Sequence, residues 1–180
     1  MTEVVAKVST PRGRHLKAIV ELAGGDFSLA VYEPKTETLT VPGIEQDVLE
    51  AARNSVEQGT AAPTLSMRTR KVAELRRACE AAITGGFPSS ALGALSWYDS
   101  EMEDQLNLIG AVSSEADMWY ACRPSQRQPK EYVFHTHAQL LQVLSDGKDV
   151  KQAALQQFNT KRTEAEEALT LDVLNSIVWE

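Results

Sequence analysis

The sequence predicts an α+β protein, with a small β-rich N-terminal module followed by a mainly helical C-terminal domain that carries one β-hairpin. Three observations lead there. β-branched and aromatic residues cluster before position 42, apolar residues recur at three- and four-residue steps after position 66, and a breaker-rich stretch, GTAAP at 59–63, stands between them as the expected linker. The module is assigned to residues 1–58 and the helical domain to residues 66–180. At 180 residues, 43% apolar and 24% charged, the chain can bury roughly 70% of its unfolded surface without a metal or a disulfide. An excess of 25 acidic over 18 basic residues, net −7, argues against general affinity for nucleic acid or anionic membrane. Cys79 and Cys122 have no companion cluster and read as buried thiols. No leader or membrane-inserting segment is expected from the apolar runs, and no cofactor is implied.

Within the module, residues 4–8, 15–22, 27–32 and 38–41 read as strands, with TPRG at 10–13 and AGGD at 23–26 as turns. Residues 44–56 read as a helix, because Val48, Ala52 and Val56 recur at four-residue spacing. In the C-terminal domain, Val72, Leu75, Cys79, Ala82 and Ile83 mark one face of a helix over 66–83 that Gly85-Gly86 ends. Its basic residues, mixed with Glu74 and Glu80, read as a solvated face. Ser100 and Glu103 form an S-x-x-E capping box ahead of a helix over 101–112, whose Met102, Leu106, Ile109 and Ala111 or Val112 are expected to share the buried face. Residues 118–122 and 131–134 form the hairpin, joined by a Pro-bounded loop. Thr136 and Gln139 cap a short helix over 140–144 that Asp146-Gly147 closes; Asp149 and Gln152 open the next, long helix. Thr170 caps a final helix, with Trp179 as a terminal apolar plug.

Several short motifs occur in one order: ACEAAITGGF at 78–87, WYDS at 97–100, DQLNLIG at 104–110, HTHAQL at 135–140 and IVW at 177–179. In order and spacing they resemble the family called domain of unknown function 4376, over about residues 66–179. That family is similar to proteins of phage and prophage tail genes, often behind a variable N-terminal part. The resemblance implies a non-enzymatic structural component of a bacteriophage tail: a tail-tip, baseplate or fibre-attachment protein made in the bacterial host cytoplasm and found in the virion. Its implied partners are other tail or fibre proteins and further copies of itself, with a trimer favoured. A tail-fibre assembly chaperone is the first alternative, and a host-directed regulator or metal-dependent enzyme the second. The family carries no assigned activity, so no catalytic residue follows.

The residues most open to a chemical reading are His135 and His137, which on an extended strand would face one side and in a symmetric trimer could share an axial metal. The Thr136 cap makes His137 helical and turns the two rings apart, which favours a packing role for His135. Asp99, Glu101, Glu103 and Asp104 crowd a helix N-terminus, where the macrodipole stabilises carboxylates, and no calcium-loop or phosphate-loop pattern accompanies them. Gln105 and Asn107 are expected to make amide hydrogen bonds that hold the hairpin or a neighbouring subunit. Contact with a partner is assigned to Trp97, Tyr98, Gln105, Asn107 and Trp119, while the remaining aromatics fill the core. No Ser-His-Asp or Cys-His set has a supporting motif.

Overall fold

The computed structural model describes residues 5–10, 13 and 15–180. Helix makes up 53% and strand 17%, with strands gathered at the N-terminus and helices dominating afterwards, so the fold is α+β. Two compact units divide the chain: one gathers the residues up to Ala73 with Thr163–Val178 and Glu180, the other Glu74–Arg162 with Trp179. The predicted strand at 4–8 and turn at 10–13 fall partly on Val4, Pro11 and Arg12, which lie outside the described residues.

In the first unit, β1 (Val5–Ser9), β2 (Val31–Glu33) and β3 (Thr38–Pro42) form an antiparallel sheet in the order β1-β3-β2. Val8 pairs with Leu39 and Ala6 with Val41, and all four side chains are buried, which is the alternation expected of a sheet with one covered face. Residues 15–22, predicted as a strand, form helix α1 (Leu16–Leu22) instead. The reason is burial: Ile19 and Val20 are both inaccessible, whereas on a strand these neighbours would point to opposite faces. Residues 27–32 also differ. Asp26 accepts hydrogen bonds from the Ser28 amide and hydroxyl and so bends Phe27–Leu29 into a 3-10 turn before β2 begins. Helix α2 (Gln46–Glu57) follows the predicted period and buries Leu49, Ala52 and Val56. The stretch at 59–63 is packed into this unit and does not hang free: Ala61 is buried and its carbonyl accepts from the Leu171 amide at 2.8 Å. The start of α3 (Leu65–Thr84) and all of α6 (Leu171–Ser176) belong here too, tied by Arg68 to the Ala168 carbonyl at 2.9 Å. Thr170 caps α6 as predicted, accepting from the Val173 amide.

In the second unit, β4 (Phe87–Ser89) pairs with β5 (Ser96–Tyr98), a ladder absent from the predicted elements. β6 (Met118–Cys122) pairs with β7 (Glu131–His135) as the predicted hairpin. A single antiparallel bridge between Trp97 and Arg123, with hydrogen bonds of 2.7 and 2.9 Å, joins the two ladders. Helix α4 (Met102–Ser113) lies between them in sequence. Helix α5 (His137–Glu167) runs unbroken for 31 residues, so the predicted stop at Asp146-Gly147 and restart at Asp149 do not occur. Leu140, Val143, Ala154 and Phe158 form one buried stripe across the supposed break, and Gly147 lets the Phe87 ring approach: a Cβ there would meet Phe87 Cζ at 2.7 Å. Phe87, Tyr98, Leu108, Cys122, Leu140 and Val143 form the heart of the core. Each of its phenylalanine, leucine and valine side chains contributes about 1.5–3 kcal/mol by leaving water.

Candidate functional site

Tyr98 is 1% exposed and His135 is fully buried, and the Tyr98 hydroxyl lies 2.8 Å from His135 Nε2. His135 Nδ1 lies 2.8 Å from the Val133 carbonyl, which can only accept, so Nδ1 carries the proton and Nε2 accepts from tyrosine. Both imidazole nitrogens are thus engaged in the interior. Burial first, then the neighbouring Cys122, raises the Tyr98 hydroxyl well above the ordinary phenol value. The assignment of Tyr98 to a contact surface is corrected: its side chain is spent on the core. His137 begins α5, where its amide donates to Asp117 at 2.7 Å, and its ring Nδ1 is buried without a hydrogen-bond partner. The Thr136–Gln139 capping box forms reciprocally, at 2.9 and 3.2 Å. Among the described residues no group of three or more His, Cys, Asp or Glu is arranged to hold a metal.

The Trp97–Arg123 bridge brings Asp99, one step past β5, beside Arg123, one step past β6. The Arg123 guanidinium donates to Asp99 at 2.7 Å, and the Lys130 ammonium reaches Asp99 at 2.8 Å and Asp104 at 3.1 Å. Burial alone would raise the Asp99 carboxyl, but hydrogen bonds from Lys130 and Arg123 together outweigh it and hold the group below the usual carboxylate range. Lys130 is raised in turn, by its bond to Asp99 first. The cap of α4 is one residue later than predicted: Glu101, not Ser100, is the N-cap, and its amide donates to Asp104 at 3.2 Å. Gln105 donates to the Ser100 carbonyl at 2.9 Å, and the Tyr120 hydroxyl donates to the Asp104 carbonyl at 3.2 Å. Burial first, then the Asp104 charge, pushes the Tyr120 hydroxyl up to about 12. Tyr98, Asp99, Asp104, Gln105 and His135 are therefore occupied by internal bonds, of which those of Tyr98 and Asp99 join β5 to the hairpin and those of Asp104 join α4 to it.

What this framework leaves outside is the opposite face of α4. Leu108 and Ala111 are its buried residues, while Met102, Leu106 and Ile109 are 77%, 63% and 51% exposed. The expected assignment of those three to the buried face is overturned, because α4 has two apolar stripes and the core takes the other. Asn107 is exposed beside the outer stripe and borders a hollow of about 340 Å³ with Gly110, Tyr120 and Tyr132. On the hairpin, Trp119 is 65% exposed and packs edge-to-face on Phe134, its cross-strand partner, at 5.8 Å. Tyr132 and Phe134 point outward from β7 while Val133 and His135 turn inward. Trp97 is half-buried, and Gly86, whose φ of 88° suits glycine, lies against its indole.

Residues 66–177 match the family described as "Domain of unknown function (DUF4376)". The chain belongs to the DUF4376 family. No curated protein and no solved structure matches the chain. Within the DUF4376 region, the motif at 104–110 divides cleanly: Asp104, Gln105 and Leu108 serve the fold, whereas Leu106, Asn107, Ile109 and Gly110 face outward. That second set is what sequence reasoning missed, apart from Asn107.

Proposed function

We propose that this DUF4376 protein is a non-enzymatic component of a bacteriophage or prophage tail, at the tip, baseplate or fibre attachment, that works by protein–protein binding through the second unit. The observation carrying the binding part is the exposed stripe Met102–Leu106–Ile109 on α4, with Asn107 beside it and the Trp119–Phe134 pair on the hairpin. An apolar face set among polar groups is the usual anatomy of an interface, and aromatic anchors are its usual hot spots. The tail part is supported by the motif resemblance. The protein would be made in the host cytoplasm and carried into the virion with its partners.

The test is to induce a lysogen carrying the gene, purify particles on a density gradient and probe for the chain. A stoichiometric band in particles is the expected result, and its loss with Leu106→Glu assigns the contact to α4. A chain bound to fibre protein in the lysate but missing from particles would replace the structural reading with the assembly-chaperone one.

A further inference from the structure

Met102, Leu106 and Ile109 are separated by four and three residues, the spacing of a coiled-coil seam, and at about 100° per residue they stay within a narrow arc of the α4 surface. In heptad terms Leu106 takes an a position and Ile109 a d position, a combination that favours three or four strands over two. The two edges of this seam differ in charge. On the hairpin side lie Glu103 and Glu101, which border a second hollow, of about 630 Å³, where Arg123 and Lys130 are already paired with Asp99 and Asp104; Glu103 forms no ion pair among the described residues. On the other side lie Lys148 and Lys151 of α5, both exposed and likewise without an ion pair among the described residues. They stand at the rim of a separate apolar hollow of about 160 Å³ walled by Phe87, Gln105, Leu108 and Ile109. That volume holds about one benzene-sized group, below the roughly 300 Å³ at which small-molecule sites begin. An apolar side chain of a protein fits it.

The order acidic edge, apolar seam, basic edge selects both the occupant and its orientation. About a rotation axis running along α4, with helices parallel, the acidic edge of one copy abuts the basic edge of the next all the way round. A two-fold axis across α4, with helices antiparallel, would set lysines against lysines and glutamates against glutamates. We propose that α4 is the axial helix of a parallel homo-oligomeric ring of three or four copies, in which Leu106 and Ile109 pack at the axis and Glu103 of each copy pairs with Lys148 and Lys151 of the next. In that register the neighbour's Leu106 stands at the level of Gln105 and Ile109, the walls of the apolar hollow. The inference rests on the reading of α4 as a protein interface and names the partner as this chain itself. A helix of 12 residues is about 18 Å long, so each contact sits at the small end of specific interfaces and association depends on concentration.

Sedimentation velocity on the full chain, from low micromolar to hundreds of micromolar, reads the proposal directly. The mass should rise to three or four times that of the chain. Glu103→Lys, and the pair Lys148→Glu with Lys151→Glu, should each weaken assembly at least about ten-fold, and combining all three should restore most of it, since the charges are then exchanged. Far-ultraviolet circular dichroism checks that these surface variants keep their fold. A chain that stays monomeric overturns the ring, as does a dimer, or an assembly that the combined variant fails to recover. The same variants in the particle assay separate the two readings. A monomeric chain that still needs Leu106 to enter particles overturns the ring alone, whereas a ring absent from particles overturns the tail reading alone.

Discussion

At the scale of single residues, the interior of the second unit depends on partners that were invisible to local pattern. Tyr98 and His135 lie far apart in sequence, and nothing in WYDS or HTHAQL states that one hydroxyl completes the other ring. Tyr98→Phe removes that donor and leaves Nε2 of a fully buried imidazole unpaired. The expected loss is about 1–3 kcal/mol, measured by urea unfolding; an unchanged midpoint would mean that the bond contributes nothing. The Asp99–Lys130–Asp104 network has a pH signature of definite sign. Asp99 is held below its unfolded value, so its contribution is present above about pH 4 and fades as pH falls through the lower folded value. Lys130 is raised, so its contribution is present below about pH 10.4 and fades as pH rises through the higher folded value. Lys130→Met should flatten the acid limb of stability against pH, because Asp99 then keeps only Arg123. An acid limb identical to that of the parent would show that Lys130 does not hold Asp99. These groups are surface-near, so the effect is a change of slope and not a collapse.

At the scale of elements, the helices and the hairpin were legible where the apolar period ran up to a turn or breaker, as in α2, α3 and β6–β7, and where a hydroxyl cap forms, at Thr136 and Thr170. They were misread where local chemistry and burial disagreed. Residues 16–22 carry strand-forming side chains yet fold as α1, because Ile19 and Val20 must reach the same core. Asp146-Gly147 reads as a helix stop, yet α5 continues because glycine is what the Phe87 ring requires there. Two glycine substitutions separate these effects. In a helix interior Gly→Ala ordinarily stabilises by about 1 kcal/mol, and Gly110, where an added Cβ would meet nothing within 4 Å, should follow that rule when unfolding is measured at low concentration. Gly147→Ala should reverse the sign, since its methyl meets Phe87 at 2.7 Å. Equal effects at the two positions would refute the packing explanation for the continuous helix.

At the scale of the whole molecule, the family match and the compact units follow different lines. The DUF4376 region spans 66–177, but the start of α3 and the α6 segment pack with the N-terminal sheet and helices. Leu171 and Leu174 are buried there, the Leu171 amide bonds to the Ala61 carbonyl, and Arg70 pairs with Glu21 at 3.3 Å. A chain starting at residue 66 therefore loses those partners, and it should show lower solubility and a lower urea midpoint than the full chain. Equal midpoints would mean that the family region stands alone. The sequence by itself determined the α+β class, the family, the hairpin and the Thr136 and Thr170 caps, because these depend on neighbours a few residues away. Only the tertiary structure decided which of two apolar stripes on α4 is buried, which carboxylates are paired, and that Tyr98 belongs to the core and not to a surface. Stripe against stripe, periodicity gives equal answers. The choice is made by side chains from β4, β5, the hairpin and α5 closing over Leu108 and Ala111, which leaves Met102, Leu106 and Ile109 facing outward.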